Sequence, residues 1–227
     1  MNAHASMATN QTTAPLPPIT PQWLGQVDYE PTLEAMRHFT QTRETHTPDA
    51  VWVLEHPAVY TRGLAADLAH GPHPDATALH ARIPVIQVER GGQITYHGPG
   101  QVVVYPLIDL TRRAMKVRAF VHLLEQAVID LLDQYSVSAQ RRLGAPGVYV
   151  NAAKIAALGL RVRRGCTLHG VSLNVDMDLS PFSSIHPCGV VGQAVTQTRA
   201  LGIQANAQTL GMALAHHIIE ALEQSHA

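Results

Sequence analysis

The chain of 227 residues carries 46% hydrophobic and 15% charged residues and a formal net charge of −1, a composition that buries the core of one domain and excludes wholesale disorder. No apolar run reaches the eighteen or so residues of a membrane helix, and the opening MNAHASMATNQTTAPLPP has neither a basic start nor an apolar stretch, so the expectation is a cytoplasmic protein with no membrane partner. Two cysteines, Cys166 and Cys188, are too few for a disulfide framework.

In chain order, residues 1–20 combine Asn, Gln, Thr, Ala and Pro without period and read as a disordered tail, leaving one domain over 21–227. WLGQVDY is a short strand. A helix follows from Pro31, suited to a first helical position, to Thr42, with Leu33, Met36 and Phe39 on one face. VWVLEH is a second strand, a Gly/Pro/His-rich loop runs from Gly63 to His80, and IPVIQVE begins the next strand. RGGQITYHGPG is too glycine-rich for a regular element and is expected as a loop ahead of VVVYPLIDL, a buried strand. Between Lys116 and Tyr135, the positions Val117, Phe120, Val121, Leu124, Val128, Leu131 and Leu132 keep helical spacing. GVYV, KIAALGLRV and TLHGVSLNV form a meander turning at Asn151 and Arg164-Gly165, SPFSSIHPCG is irregular, and Leu210, Leu214, Ile218 and Leu222 mark a closing helix. Strands in short runs with helices gathered between and after them give an α+β fold.

Charge is uneven along the chain. Between Arg112 and Arg164 ten Lys/Arg stand against three Asp/Glu, and the remainder holds six against fourteen. Clusters at Arg112-Arg113, Arg141-Arg142 and Arg161, Arg163, Arg164 suit either an acidic protein partner or a solvated face. With three Phe and two Trp available for stacking, nucleic acid is not the expected partner. Of sixteen basic residues only Lys116 and Lys154 are lysines. A lysine inside the apolar AAKIAALGL offers an amine able to release its proton, which a guanidinium cannot do, although on this observation alone drift is the favoured reading.

Cys188, between Pro187 and Gly189 in an aperiodic segment, sits on the kind of loop that holds nucleophiles, whereas Cys166 in a β-rich run reads as core. A nucleophilic thiol needs a partner that favours the thiolate, here Lys154 or one of fourteen histidines. Gly189 leaves room for a substrate carbonyl and offers an N–H to a developing oxyanion. Arg90-Gly91-Gly92 through His97-Gly98-Pro99-Gly100 puts four glycines in eleven residues. This is a ligand loop in which backbone N–H groups approach closely, but it is neither a GxxxxGK[ST] nor a GxGxxG motif. His70, His73 and His80 in one loop and His216-His217 on the last helix match no zinc spacing, so no metal is expected.

Together, RGGQITYHGPGQ, GVYV…KIAALGLRVRRGCTLHGVSLNV and DLSPFSSIHPCG closely resemble the lipoyl(octanoyl) transferases from about Trp23 to Thr198. That family is similar to the catalytic domain of lipoate and biotin protein ligases. The resemblance implies a single α+β domain with a mixed sheet, packed helices and an acyl pocket. It implies transfer of octanoyl from octanoyl-acyl carrier protein to a lysine of lipoyl domains, in 2-oxoacid dehydrogenase complexes and the glycine cleavage H protein, by a monomer without cofactor or ATP. Cys188 is then the acyl-accepting thiol and Lys154 its partner. Arg90, Gly91, Gly92, Gln93, Ile94, Thr95, Tyr96 and His97, with Ala157, Leu158, Gly159, Gly170, Val171 and Ser172, match the segments that line the substrate site. Ser172 departs from the alanine of many members. The rival is an ATP-dependent lipoate or biotin ligase, which lacks the thiol and reads a longer Gly run ending in His-Asp; a non-enzymatic acyl-binding protein is the third alternative.

Overall fold

The computed structural model describes residues 18–66, 82–185 and 193–225. Most of the expected tail, the histidines 70, 73 and 80, and Cys188 lie outside the described residues. In order, the elements are β1 (Pro21–Gln26), α1 (Tyr29–Gln41), β2 (Ala50–Glu55), β3 (Val59–Arg62), β4 (Val85–Gln87), β5 (Ile94–His97) and β6 (Gln101–Leu107). There follow α2 (Val117–Asp133), β7 (Gln140–Arg141), β8 (Val148–Val150), β9 (Ala153–Arg163), β10 (Cys166–Asn174) and α3 (Ala207–Gln224).

The apolar run QVVVYPL is β6, buried at every position and set between β2 and β10 in a seven-stranded sheet ordered β1-β2-β6-β10-β9-β8-β7. Its side chains alternate between two cores. Val102 and Val104 pack with Phe120 and Leu124 of α2 and Leu214 and Ile218 of α3, while Val103, Tyr105 and Leu107 pack with Leu33 and Met36 of α1. The sheet is mixed: β1 and β2 run parallel, and every other pairing within it is antiparallel. A second sheet, β4-β3-β5, covers part of the α1 face around a third core of Tyr60, Ile94, Tyr96, Met177, Phe182 and Ile185. None of the described helices is long and apolar enough to cross a membrane.

Several expectations change. β5 forms inside the glycine-rich stretch, because Ile94 and Tyr96 bury against Tyr60 and Phe182 while the strand pairs antiparallel with β3. The two-residue β7 and four-residue β3 were not anticipated. Helix α1 starts at Tyr29, ahead of Pro31, whose missing N–H falls within the first turn where no intrahelical partner exists. At the end of the expected tail, Ile19 is buried in the main core.

Pro106 interrupts the ladder of a central strand, where an N–H is normally required. Thr167 repairs it: its hydroxyl donates to Pro106 O at 2.6 Å and accepts from Ile108 N–H at 2.8 Å. The register that pairs Val171 with Val104, and Cys166 with Asp109, sets His169 opposite this proline.

Candidate functional site

A cleft lies between the β6-β10-β9 face of the large sheet and the edge of the small one. Its floor follows β9 continuously from Lys154 to Gly159 and β10 from His169 to Ser172, with Arg90, Gly92 to Thr95 and His97 opposite. The loop before β5 is zipped onto β9, since Gly91 N–H donates to Leu160 O at 2.9 Å. Arg90 clamps the same loop to β3 through Nη2 to Thr61 O at 2.7 Å and to Thr61 Oγ1 at 2.8 Å. Gly159 is required there: a Cβ on it would stand 2.7 Å from Arg90 Cδ.

Lys154, 5% exposed, occupies one end of the cleft. Its Nζ donates to Pro146 O at 3.1 Å and lies 5.3 Å from the Tyr149 ring centroid. Gly147, in left-handed conformation at φ 136°, is the floor beneath this side chain; a Cβ would meet Lys154 Cε at 3.1 Å. Glu125 of α2 fixes the turn by accepting from Gly147 N–H at 2.9 Å, and it pairs with Arg141 at 3.2 Å. On its other side the backbone of Lys154 is held by residues 194–196, through Lys154 N–H to Ala194 O at 2.8 Å and Thr196 N–H to Lys154 O at 3.0 Å.

A buried polar network walls the cleft. Asn174 Nδ2 donates to Thr196 O and Gln101 Nε2 donates to Asn174 Oδ1, both at 2.9 Å, and Gln101 Nε2 also donates to Tyr96 O at 3.2 Å. Gln101 Oε1 is thereby left to accept, so His97, 2.7 Å away, donates from Nδ1, and its Nε2 faces Thr61 Oγ1 at 3.5 Å as an acceptor. Burial, with His56 nearby, pushes His97 down to about 3. His56, between Val27 O at 2.7 Å and Tyr105 Oη at 2.8 Å, is pushed down by burial to about 4. Burial raises Tyr29, stacked over His97, to about 12.

His169 is the anomaly of the site. It is 2% exposed and has a left-handed backbone at φ 62°, rare for a residue with a side chain. Strand alternation would send its ring to the helix face with Val171 and Leu173; instead the ring meets Tyr105 edge-on at 6.3 Å and lines the cleft. Its Nε2 is buried without a hydrogen-bond partner among the described residues. Burial, then the charge of Arg90, pushes this imidazole down to about 4.

Of the residues singled out from sequence, Arg90, Gly92, Gln93, Ile94, Thr95, His97, Lys154, Ala157, Leu158, Gly159, Gly170, Val171 and Ser172 line this one cleft. Gly91 contributes only its N–H to β9, and Tyr96 turns away into the Tyr60 cluster. The Ser172 hydroxyl lies 3.5 Å from Ala157 O across the ladder. Sequence reasoning passed over Tyr29, His56, Gln101, Tyr105, His169 and Asn174. Gln101 and Asn174 were visible as polar residues ending otherwise apolar strands, but the histidine cluster joins three distant segments and left no local signal.

The basic segment is largely used within the molecule. Arg112 and Arg113, with Arg43, converge on buried Asp49 at 2.8, 2.8 and 2.5 Å. Arg142 stacks over Tyr149 at 4.3 Å. Arg161, Arg163 and Arg164, at the far end of the β9–β10 hairpin, are exposed. Among the described residues no group of His, Cys, Asp and Glu gathers in a way that could hold a metal.

Residues 28–219 match the lipoyl protein ligase A/B catalytic domain family. A protein of Dechloromonas aromatica named octanoyltransferase is 53% identical over 209 residues, covering 92% of this chain and 98% of its own. An octanoyltransferase of Aromatoleum aromaticum is 50% identical over 99% of this chain and 94% of its own. Among solved structures, the bipartite lipoate protein ligase of Thermoplasma acidophilum superposes with a TM-score of 0.70 at 15% identity, over 92% of this chain and 84% of that one. Biotin protein ligase from Aquifex aeolicus gives 0.54 at 12% identity, over 91% and 71%.

Proposed function

The chain belongs to the lipoyl protein ligase A/B catalytic domain family, and on that premise we propose that it transfers octanoyl from octanoyl-acyl carrier protein to a lysine of lipoyl domains, through a thioester on Cys188. The acceptors are lipoyl domains of 2-oxoacid dehydrogenase complexes and the glycine cleavage H protein, met in the cytoplasm. The observation that carries this function is a buried lysine at one end of an apolar-floored cleft. The chain on either side of residues 186–192 is tied to the same cleft: the Phe182 ring and Val195 both line it, and Val195 bridges to Lys154. Cys188 belongs to those seven residues.

The chemistry balances without ATP. The Cys188 thiolate attacks the donor thioester carbonyl, the new C–S bond forms, and the carrier leaves as a thiol. The acceptor amine then attacks this acyl-enzyme, an amide forms, and the Cys188 sulfur departs. Lys154 takes the thiol proton, stabilises the thiolate as an ammonium, returns that proton to the departing carrier sulfur, and, neutral again, accepts a proton from the attacking amine and passes it to the departing Cys188 sulfur. Thioester is exchanged for the less reactive amide, which drives the transfer. Ile94, Val103 and Ala157 line the cleft with apolar surface for the acyl chain, worth about 0.8 kcal/mol per buried methylene.

Incubation with octanoyl-acyl carrier protein and a lipoyl domain, with and without ATP, tests this function. Transfer without ATP and a single octanoyl adduct on Cys188 by mass spectrometry are expected, and Cys188→Ala is inactive but folded. An adduct on Cys166 overturns the nucleophile; an absolute need for ATP selects the ligase reaction instead. Lys154→Arg is expected to be nearly as inactive as Lys154→Ala, since arginine keeps the charge but gives up no proton.

A further inference from the structure

We infer that His169 is the stop at the Gly159 end of the acyl cleft and sets the length of chain the enzyme accepts. Neither of its unusual features serves the fold. A left-handed backbone on a residue with a Cβ costs about 1 kcal/mol or more, and a buried nitrogen without a partner costs a comparable amount. Glycine, lacking both costs, would satisfy the ladder opposite Pro106 equally well. The strained backbone does one thing that a regular strand would not: it swings the imidazole from the helix core into the cleft, against Tyr105.

The dimensions agree. The cleft floor runs along β9 from Lys154 to Gly159, six residues spanning about 17 Å at roughly 3.4 Å per step. At that end the stem of Arg90 crosses Gly159, and the ladder partner of the next residue, Leu160, is His169. An extended octanoyl thioester measures about 10 Å from sulfur to methyl carbon, as each C–C bond of about 1.5 Å advances the chain by roughly 1.3 Å. Adding contact distances of about 3.5 Å at each end gives about 17 Å, the length of the floor. Two further methylenes, about 2.5 Å, drive the chain end into the imidazole.

This inference rests on the octanoyl-transfer function, and binding can be measured apart from turnover. The experiment determines dissociation constants for acyl-pantetheine thioesters of six to fourteen carbons in a Cys188→Ala background, where no acylation competes. Affinity is expected to rise from six to eight carbons and to fall at ten. In His169→Gly, which removes the ring and relaxes the left-handed backbone, affinity continues to rise at ten carbons. The decanoyl to octanoyl ratio increases at least about fifteenfold, the worth of two buried methylenes. His169→Ala, which keeps the Cβ, shifts the ratio in the same direction, and His169→Phe, a ring without nitrogen, keeps the ratio of the unsubstituted residue. An unchanged length profile in both His169→Gly and His169→Ala overturns the stop, as does a shift in His169→Phe equal to that in His169→Gly, which assigns the effect to the nitrogen instead of the bulk. A length-dependent affinity in a protein that moves no octanoyl group supports the stop while overturning transfer.

Discussion

Acid should unfold this protein through its histidines before its carboxylates. His56 and His169 are held down to about 4 and His97 to about 3, against about 6.5 in an unfolded chain. Each folded value is depressed, so the unfolded state binds more protons below pH 6.5 and stability is lost as the pH falls towards the folded values. The slope is about 1.4 kcal/mol per pH unit for each histidine. Between pH 6.5 and 4 this amounts to roughly 3 kcal/mol for each of His56 and His169, and slightly more for His97. Together they rival the 5–15 kcal/mol that holds a typical domain, so the native state should collapse between pH 5 and 4. Asp49 acts in a lower window. Burial alone would raise its carboxyl, but hydrogen bonds from Asp109 N–H, Arg113 and Arg43 bring it below the usual value, so its contribution persists above about pH 4 and is lost beneath. Urea unfolding followed by circular dichroism at pH 7.5, 6.0, 5.5, 5.0 and 4.5 measures the slope, and His169→Phe should remove about a third of it. A stability that stays flat from pH 7 to 5, or imidazole resonances of these three residues titrating near 6.5 in the folded protein, would refute the buried neutral cluster.

Asp49→Ala leaves the buried Arg43 and Arg113 and the partly buried Arg112 without their common carboxylate; calorimetry should show a loss of about 3–5 kcal/mol, roughly ten degrees in Tm, with kcat per folded molecule unchanged. A loss under about 1 kcal/mol speaks against the three-arginine clasp. Removal of residues 1–17 should leave Tm and activity unaltered, while Ile19→Ala in the full chain costs about 2–4 kcal/mol by opening a cavity in the main core. The reverse order would mean that the tail, and not Ile19, is docked. Reversing the exposed pair Arg163 and Arg164 to Glu should raise KM for a carrier-borne substrate and weaken its salt dependence, leaving a small thioester unaffected. Equal losses on both substrates remove the docking role. Arg141 is the wrong residue for that test, since Glu125 joins it to the turn beneath Lys154.

The parts of the fold legible in sequence were those written in one period. The α2 and α3 faces and the β8–β10 meander follow from spacings of 3.6 and 2, and their limits needed little change. The segment from Arg90 to Gly100 reads in sequence as a loop and not as a strand, because its glycines mask the Ile94–Tyr96 alternation that tertiary burial rewards. The cleft's chemistry divides in the same way. Lys154 stood out as an isolated amine in an apolar run, but His169 looked like any strand residue. Its importance comes from a backbone sign and a missing N–H sixty-three residues earlier, at Pro106, and neither leaves a mark in local composition. Charge misled for a related reason: a count along the chain cannot tell Arg113, committed to Asp49, from Arg163, which faces water.

The chain of side chains from Thr61 to Thr196 has a consequence for where protons travel. Every donor in it is already committed in one sense: imidazole to Gln101, Gln101 to Asn174, Asn174 to a carbonyl. An amide has no proton to hand on, and the sequence ends on a backbone oxygen that can only receive. A proton released in the cleft finds no relay through this wall, because passage would require turning over two amides and the opposite imidazole tautomer at once. The wall is an insulator. For the proposed transfer this leaves the Lys154 end of the cleft as the place where protons move, the one given up by the attacking amine passing there to the departing sulfur.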